Sequence, residues 1–346
     1  MNHAVESGWT ITGTCAYLGL PAQRYYRWES RAAGIGLVDL PPGGNPVGGL
    51  LEEEKVEILS VFDEWSDTDR SHRKLAHRGS YLGRFWASPS TVRRVLFLAD
   101  KRFKALPRPG RSKKKKIPDW VEYRKNQVWI YDTTHFMKAE MAALAIMDLV
   151  TRKWLAEVVS NEETSAQVEL GFERAITSED LEDLIAERLA EIEAYELAHP
   201  DEPDPGRDRP PLVLLAMSDN GPQMRSDSTA EYMAAVAFGQ HFGRPGTPTD
   251  QAEIETLFGH IKREYPHLTQ IEDPATLRAE LKIVRAHYNT VRLHESLGYV
   301  TPDDEHEGRG PAIRKARTEG LKRAHRTRVA TRRRMRQTGA TPEPPM

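Results

Sequence analysis

The sequence predicts an α/β core that is preceded by all-α units. Between residues 120 and 300, strand-like apolar runs alternate with helix-like runs, a pattern typical of α/β domains. The first 105 residues instead predict helical stretches, with a Gly- and Pro-rich linker over residues 35–49. At about 150 residues per domain, the 346 residues have room for two domains, and for a third if some are small.

Composition excludes several classes of protein. With 39% hydrophobic and 29% charged residues, the chain is typical of a soluble protein with a real core. The single cysteine, Cys15, excludes an intramolecular disulfide and, within one chain, any structural zinc site that needs two cysteine ligands. No run approaches the ~18 apolar residues of a membrane helix, and residues 1–10 lack the layout of a signal peptide. We therefore expect a cytoplasmic protein without membrane contact.

The net charge of −2 hides two strongly basic blocks. Residues 101–125 carry eleven Lys and Arg, and residues 309–336 carry twelve. A near-neutral chain with such blocks predicts a polyanion that binds locally. Alternatively, the blocks are a flexible linker and tail that their charge keeps soluble, and composition leaves both interpretations open. In either case we expect residues 303–346 to form a basic, mobile tail.

The first helical unit, residues 1–34, has the pattern of a helix-turn-helix. The tripeptide Leu18–Leu20 predicts a tight turn between two short helices. The second of these helices would present Arg24 and Arg27 to the major groove of DNA. The alternative is an ordinary helical hairpin whose core contains the aromatic side chains of Tyr26 and Trp28.

The second helical unit, residues 50–105, is better formed. Its sequence predicts three helices, which cover Leu51–Trp65, Ser71–Gly79 and Pro89–Ala99. The third begins with a Ser cap followed by Pro at the first helical position. Recognition helices touch bases near their N-terminal end, where the candidates for DNA contact are Thr91, Arg93 and Arg94. The alternative is a small structural bundle.

A basic linker, residues 106–119, follows the second unit. Because like charges repel and prolines interrupt regular structure, this segment is not expected to pack. Four consecutive lysines in it are candidates for non-specific contact with the DNA backbone: Lys113, Lys114, Lys115 and Lys116.

Two carboxylates come directly after strands of the predicted core. The strand Gln127–Tyr131 ends in Asp132, and the buried strand Leu212–Met217 is followed closely by Asp219. If the two strands are neighbours, both carboxylates lie at one edge of the sheet, and a later helix could bring Glu255 beside them. Three carboxylates supply the hard oxygen ligands that two Mg2+ ions use in phosphoryl transfer. Carboxylates that follow strands are also common in solvated loops. The positions of these residues alone therefore do not decide between a metal site and solvated loops.

The helix predicted over Asp250–Tyr265 has an informative spacing. Lys262 lies seven residues after Glu255, about two turns along the same face at ~3.6 residues per turn. Glu253 and Glu264 fall on the opposite face. Glu255 and Lys262 can therefore face a substrate together, one toward a metal ion and the other toward a phosphate.

Four sequence blocks resemble the DDE insertion-sequence transposases, in particular the IS-three family. Residues 129–134 (WIYDTT) resemble the block around that family's first Asp, and residues 218–223 (SDNGPQ) resemble the second. Residues 246–255 (GTPTDQAEIE) resemble the third, and 35 residues separate Asp219 from Glu255 (255 − 219 − 1), the separation typical of the family. Further matches to the third block and to the C-terminal signature are Phe258, Lys262, Glu264, Tyr288-Asn289, Arg292, His294, Ser296–Tyr299 and Thr301-Pro302.

The resemblance covers about residues 120–302 and implies the ribonuclease-H-like fold that the family shares with retroviral integrases. This fold is a mixed five-stranded sheet with helices, here over residues 120–270, followed by a C-terminal helical part over residues 271–302. The family implies Mg2+-dependent transposition, with two ions per active site held by Asp132, Asp219 and Glu255, and Mn2+ as a substitute. Lys262 would hold a phosphate. The same role is implied for Arg292 and His294, which could equally be packing residues.

The family also implies partners and a location. The enzyme would cut the ends of a mobile element and join the freed 3′-hydroxyl to target DNA, so its partners are double-stranded element ends and target. Because two ends are joined, we expect a homo-oligomer in a synaptic complex. The expected location is the prokaryotic cytoplasm, in association with the nucleoid. Retroviral integrases carry a zinc module with two Cys ligands that Cys15 alone cannot build, so end recognition would use the helical units.

The sequence departs from the family pattern in a few places. Gln251 stands where Asn is usual, and His135 stands where an aromatic residue is common. An acidic segment over residues 178–210 makes the gap from Asp132 to Asp219 long, at 86 intervening residues (219 − 132 − 1). We interpret Ser178–Ala198 as an inserted acidic helix on the surface, with a regulatory or docking role as the alternative. None of the departures removes a predicted metal ligand.

Two other functions are open at this point. One is a DNA-binding protein with a silent core, against which the retention of all three carboxylates and Lys262 speaks. The other is a ribonuclease-H-like nuclease that cuts DNA without joining it. Product analysis distinguishes these, because only a transposase makes strand-transfer joints.

Overall fold

A computed structural model describes residues 2–33, 47–103, 124–200, 209–242 and 252–338. The chain divides into two compact units, Met1–Gly49 and Leu50–Met346. The second helical unit, the α/β core and the C-terminal segment thus share one unit. The predicted linker over residues 106–119, with its four lysines, lies outside the described residues, as does most of the linker over residues 35–49.

The first unit consists of three short helices: α1 (Asn2–Glu6), α2 (Ile11–Tyr17) and α3 (Ala22–Ala33). Gly19 has φ +66°, a left-handed conformation that favours glycine and turns the chain between α2 and α3, as predicted. No residue of α3 is buried. Tyr26 and Trp28 are 49% and 41% exposed, so the alternative that placed them in a hairpin core is wrong.

The second unit begins with the three predicted helices: α4 (Glu52–Trp65), α5 (His72–Tyr81) and α6 (Pro89–Leu98). Ser88 caps α6 by accepting a hydrogen bond at 3.2 Å from the Thr91 backbone N–H, with Pro89 at the first turn. The three helices enclose a common apolar core that includes Ile58, Val61, Leu75, Phe85, Val92 and Leu96.

The α/β core contains a five-stranded sheet of order β3-β2-β1-β4-β5. Its strands are β1 (Val128–Phe136), β2 (Met141–Asp148), β3 (Trp154–Ser160), β4 (Leu214–Ser218) and β5 (Phe238–Phe242). The first three form an antiparallel meander, whereas β4 pairs parallel to β1 and β5 pairs parallel to β4. The mixed sheet confirms the predicted ribonuclease-H-like fold class.

Helices cover both faces of the sheet. The helices that follow β3 and β4 are α7 (Ser165–Ser178), α8 (Glu182–Ala198) and α9 (Asp227–Ala235), and those that follow β5 are α10 (Ala252–Glu264), a 3-10 turn (Pro266–Gln270) and α11 (Pro274–Thr290). Alternate residues of β1 enter two separate cores. Val128 and Ile130 pack with α10 and α11, whereas Trp129 and Tyr131 pack with α7 and α9. Each face of the central strand is therefore buried under helices.

The acidic helix predicted over Ser178–Ala198 is present as α8, but it begins at Glu182, because Ser178 is the last residue of α7. Only Ile185 of α8 is buried. Among the described residues, no helix combines the length and the apolar character that crossing a membrane requires.

The C-terminal segment corrects one prediction. Residues 303–337 are not a mobile tail, because they form α12 (Pro302–His306) and the 28-residue helix α13 (Gly310–Gln337). Arg328 on α13 pairs with Glu54 at 2.7 Å and is only 8% exposed. Gly320 packs on Trp86 so closely that a Cβ there would lie 2.0 Å from the indole Nε1. Composition predicted a solvated tail because it does not show that arginines of α13 such as Arg328 face the protein.

The outer edge of β3 is covered by side chains instead of another strand. The Asn289 amide imitates a neighbouring strand, because its Oδ1 accepts from the Trp154 N–H at 2.9 Å and its Nδ2 donates to the Trp154 carbonyl at 2.8 Å. Arginine side chains from neighbouring helices donate to further carbonyls of β3: Arg174, Arg278 and Arg285. A covered edge cannot pair with another chain.

Replacing Asn289 by Ala should destabilise the protein, because it leaves the buried Trp154 N–H and carbonyl without partners. We expect the free energy of unfolding to fall by about 1–3 kcal/mol. Urea denaturation measures this change. Thr290→Ala, at an exposed position beside it, is the control and should change stability by less than about 0.5 kcal/mol. Equal effects of the two substitutions would contradict a clamping role for Asn289.

Candidate active site

The pairing of β1 with β4 brings the first two predicted carboxylates to one level of the sheet. Val128, Trp129 and Ile130 pair with Leu215, Ala216 and Met217, so partners differ by 87 residues. The same offset carries Asp132 to Asp219 (132 + 87). The prediction that the two strands are adjacent is confirmed.

The position of Asp132 differs from the prediction in one respect. The strand does not end at this residue, because β1 continues to Phe136 and remains paired with β2 as far as Met141. Pairing with β4 stops earlier, at Ile130 and Met217. Asp132 therefore lies where β1 separates from β4 while β2 still holds it. This opening between parallel strands is a usual place for a ligand in an α/β sheet.

Asp132 lies in an unfavourable environment for a negative charge. Burial raises the pKa of Asp132 to about 6, and repulsion from Asp219, Glu255 and Glu163 contributes, while a 2.7 Å hydrogen bond from the Thr133 N–H opposes the shift. The charges of Asp219 and Glu255 thus act on Asp132. Glu163, just before α7, is a fourth carboxylate that sequence reasoning missed.

Asp219 is exposed in the turn that follows β4. Its Oδ1 accepts a hydrogen bond from the Gly221 N–H at 2.8 Å. A Cβ at Gly221 would lie 2.9 Å from the same oxygen, so a larger residue at this position would push the Asp219 carboxylate aside. The Asp-Asn-Gly sequence therefore fixes the direction of the carboxylate.

Helix α10 supplies the third carboxylate and the predicted lysine. Its apolar face packs under the sheet through Ile254, Leu257, Phe258 and Ile261. Glu255 is exposed, whereas Glu253 pairs with Arg152 at 3.6 Å. The predicted separation of Glu253 from the face of Glu255 thus agrees with the structure. Residues 243–251, which include Gln251, lie outside the described part of the chain.

Lys262 reaches the end of β1. Its Nζ donates to Thr134 Oγ1 at 2.7 Å and to the His135 carbonyl at 3.0 Å, and lies 5.4 Å from the centre of the Phe136 ring. Burial lowers the pKa of Lys262. The ammonium group is therefore held two to four residues beyond Asp132 on the same strand.

His135 and Glu163 form a pair beside these residues. The imidazole Nε2 lies 2.5 Å from Glu163 Oε1, and the two side chains are 56% and 35% exposed. The sequence signal for this pair was the departure at His135 from the aromatic residue common in the family.

The DNA-contact prediction for Arg292 and His294 is corrected by the structure. The two residues are 5% and 8% exposed. The Arg292 guanidinium donates to both oxygens of Glu264 at 2.9 Å and to His294 Nε2 at 2.8 Å. All three groups are satisfied inside the protein, which supports the packing alternative. Burial, together with repulsion from Arg292, lowers the pKa of His294 well below its usual value.

The predicted DNA contacts on the helical units differ in exposure. Arg93 and Arg94 are exposed on α6, and Arg24 and Arg27 are exposed on α3. Thr91 is half-buried, and its hydroxyl lies 2.9 Å from that of Ser88 in the cap of α6.

The donor set of hard carboxylate oxygens suits a divalent cation. Among the residues that the structure describes, however, no three His, Cys, Asp or Glu side chains come close enough to hold one ion. The carboxylates of Asp132, Asp219 and Glu255 lie within range of mutual repulsion, which a bound cation would relieve.

Comparisons with known proteins agree with the motif analysis. Residues 237–302 match the family Integrase core domain. A stretch of 100 residues, 29% of this chain, is 30% identical to the transposase for insertion sequence element IS904 of Lactococcus lactis. That stretch spans 40% of the lactococcal protein. The predicted resemblance to a transposase or integrase core is thereby confirmed.

Two solved structures are similar to this chain at low identity. The catalytic core domain of BIV integrase is 20% identical, covers 53% of this chain and 95% of its own, and gives a TM-score of 0.36. A chain from the cryo-EM structure of a simian T-cell lymphotropic virus intasome in complex with PP2A regulatory subunit B56 gamma is 17% identical. The match covers 72% of this chain and 73% of that chain, and gives a TM-score of 0.38.

Asp132→Asn should stabilise the protein near neutral pH. Because the pKa of Asp132 is raised from 3.8 to about 6, the folded chain binds more protons than the unfolded chain between these values. The free energy of unfolding therefore decreases as pH rises through this window. Removing the charge should raise it at pH 7 by up to about 3 kcal/mol, at 1.36 kcal/mol per pKa unit.

Urea denaturation at pH 4 and at pH 7 checks this expectation. The gain should be large at pH 7 and small at pH 4. Glu231→Gln, at an exposed position on α9, is the control and should change stability little at either pH. An Asp132→Asn protein no more stable than the wild type at pH 7 would show that the environment of this carboxylate is not unfavourable.

Proposed function

We propose that this protein is a DNA transposase that cuts the ends of a mobile element and joins the 3′-hydroxyl to target DNA. One observation carries the proposal: Asp132 on β1 is level with Asp219, which directly follows the adjacent parallel strand β4, and Glu255 and Lys262 lie on a helix beside them. The similarity to an integrase core domain and to a lactococcal transposase supports the same conclusion. Because the matched stretch covers less than half of that transposase, the activity of the whole chain is our inference.

We infer that Asp132, Asp219 and Glu255 hold two Mg2+ ions, which Mn2+ can replace. Carboxylate oxygens are the ligands that Mg2+ prefers, and a cation would offset the burial and the repulsion that together raise the pKa of Asp132. Two such ions activate an attacking oxygen and stabilise a leaving oxygen in phosphoryl transfer. Both cutting and joining are in-line displacements, so neither requires a covalent bond between protein and DNA.

Lys262 has the role of a phosphate ligand in this proposal. Its ammonium group is held at the end of β1 by Thr134 Oγ1 and the His135 carbonyl, both uncharged acceptors. A phosphate oxygen is a stronger acceptor for an ammonium donor than either group. The lysine can therefore shift to a DNA phosphate without breaking an ion pair.

Double-stranded DNA would lie against exposed cations of the helical units. Arg93 and Arg94 near the start of α6 are suited to the major groove, and Arg24 and Arg27 on α3 form a second candidate surface. Lys113–Lys116 remain candidates for backbone contact. The outward face of α13 adds exposed cations that fit non-specific phosphate contact: Lys315, Lys322, Arg326, Arg333 and Arg334.

Two ends must be cut and joined in one event, so the proposal includes a homo-oligomer that holds both ends. A DNA-binding protein with a silent core and a nuclease that does not join DNA are the alternatives. The three carboxylates with Lys262 disfavour the first. A strand-transfer assay separates the second, because a nuclease yields only free ends.

Nicking of supercoiled plasmid with Mg2+ or Mn2+ tests the proposed chemistry without knowledge of the element ends. Glu255→Gln removes a metal ligand and should slow nicking by about 100-fold or more, since metal ions supply several kcal/mol and 1.36 kcal/mol is tenfold in rate. Glu253→Gln, two residues away and paired with Arg152, is the matched control and should nick nearly as fast as the wild type.

Nicking that persists in Glu255→Gln would locate the chemistry at another centre and contradict the assignment. Loss of nicking in both variants would point to damage of α10 instead of loss of a ligand. Nicking by the wild type, followed by free ends only in a strand-transfer assay, would favour the nuclease.

Removing cations of α6 should weaken duplex binding and its dependence on salt. Each lost phosphate contact lowers the slope of log affinity against log salt by about 0.9. Arg93→Ala with Arg94→Ala should therefore lower the slope by as much as about 2, and Lys113–Lys116 changed to Ala should lower it further. Lys282→Ala, an exposed cation on α11, is the control. An unchanged slope would show that the altered residues do not contact DNA phosphates.

A further inference from the structure

One face of α5 is directed at the core. The residues of this face are spaced as neighbours on a helix surface: Arg73, Lys74, His77, Arg78 and Tyr81. Arg73, His77, Arg78 and Tyr81 have partners in the segment that follows α11, residues 291–304. From sequence, this middle helix belongs to a DNA-reading unit, yet Arg78 is buried and Lys74 and His77 are half-buried, whereas Arg73 is exposed.

Arg78 makes the most buried contact of this face. The residue is 2% exposed, and its guanidinium pairs with the fully buried Asp69 at 2.6 Å. It also donates to the Val291 carbonyl at 2.6 Å, which joins the helical unit to the C-terminal end of α11. The Trp65 ring lies 4.2 Å from the guanidinium carbon. A charge enclosed in this way cannot contact DNA.

The other end of the face makes two further contacts. The Tyr81 hydroxyl donates to the Asp304 carboxylate, which also accepts from Thr301 Oγ1 at 2.9 Å and Arg309 Nε at 2.7 Å. The His77 ring stacks on Tyr299 at a centroid distance of 4.1 Å. Tyr299 has φ +61°, so the backbone of this loop is held in a left-handed conformation against α5.

We call the contact between α5 and residues 291–304 the joint. Arg317 on α13 bonds to both sides of it. It donates to the carbonyls of Gly298 and Tyr299, both at 2.7 Å, and to Ser80 Oγ at 3.2 Å. One guanidinium thus bonds to both the loop and α5. Removing it would leave two loop carbonyls and a serine hydroxyl without this donor.

Lys74 of α5 is influenced by the charge at the end of α10, the helix that carries Glu255 and Lys262. Glu264, the last residue of α10, pairs with Arg292, and these two charges act on Lys74 of α5. Burial, followed by repulsion from Arg292, lowers the pKa of Lys74 to about 8. Lys74 of α5 therefore lies within electrostatic range of the C-terminal end of α10.

We propose that α5 docks the helical unit α4–α6 on the α/β core. Arg78, Tyr81 and Arg317 are then positioning residues that fix where on the DNA the chain cuts. The inference rests on the proposed transposase function. Helix α6, which carries Arg93 and Arg94, shares one apolar core with α5. A rigid α5 therefore holds α6 at a set distance from Asp132, Asp219 and Glu255. The contacts of α5 then set the distance between the DNA site that α6 binds and the phosphodiester that is cut.

The test loosens the joint without opening the buried Arg78–Asp69 pair. The variant combines Tyr81→Phe with Arg317→Gln, and the control is Lys282→Gln, which removes one positive charge from an exposed position on α11. Hydrogen exchange of residues 72–81 and 294–301 reports on docking. The cut position is mapped by primer extension on a supercoiled plasmid that carries the reading frame with its natural flanking DNA, in Mn2+.

We expect the wild type and Lys282→Gln to cut at one phosphodiester per end. The double variant should bind the same plasmid with similar affinity but cut at several neighbouring positions. Its amide exchange in α5 should be faster by about tenfold or more, as the loss of several hydrogen bonds implies.

Three results would overturn the proposal. Exchange that rises while the cut stays at one position would show that docking does not set the position. Exchange that does not rise would show that these contacts do not hold α5. In the third result, α5 exchanges faster in the variant but the wild type makes no metal-dependent cut on this plasmid. This result would contradict the proposed function on which the inference rests.

Discussion

The structure depends on the short parallel pairing of β1 with β4. Only three residue pairs join the strands, and the pairing stops two residues before Asp132 and Asp219. From β1 the chain continues to β2 on one side of the sheet, and from β4 it continues to β5 on the other. The two strands therefore separate just where their carboxylates lie, and a crevice opens between them.

This crevice is maintained against electrostatic repulsion. The raised pKa of Asp132 shows that burial and neighbouring carboxylates disfavour its charged form. Packing elsewhere has to offset this, and α10 is fixed near both of its ends by ion pairs, Glu253 with Arg152 and Glu264 with Arg292. Between these anchors, the apolar face of the helix is buried under the sheet. Glu255 and Lys262 are thus held by contacts that do not involve them.

Motifs and helical spacing predicted the parts of the site that depend on local sequence. The adjacency of the strands bearing Asp132 and Asp219, the common face of Glu255 and Lys262, and the cap of α6 belong to this class. The sequence could not show the true end of β1, because that end depends on pairing with β2. Similarly, Glu163 approaches Asp132 only through the placement of α7, and a lone Glu carries no signal of that placement.

Basic residues were the hardest to interpret. Arg292 carries the same charge as Arg93, yet one is enclosed with Glu264 and the other is exposed on α6. The arginines of α13 suggested a mobile tail because composition records charge and not the partner of each charge. Arg328 finds Glu54 only after the chain has brought residues 274 positions apart together. Tertiary pairing, which has no local signature, decided which cations are structural.

The central claim is that Asp132, Asp219 and Glu255 together form a divalent-cation centre. Anomalous diffraction from crystals soaked in Mn2+ tests it most directly. The account predicts density bounded by these three carboxylates, with two peaks ~3.5–4 Å apart at full occupancy. It also predicts loss of that density in Glu255→Gln. Mn2+ bound only at other residues, or no anomalous density at this edge of the sheet, would contradict the account.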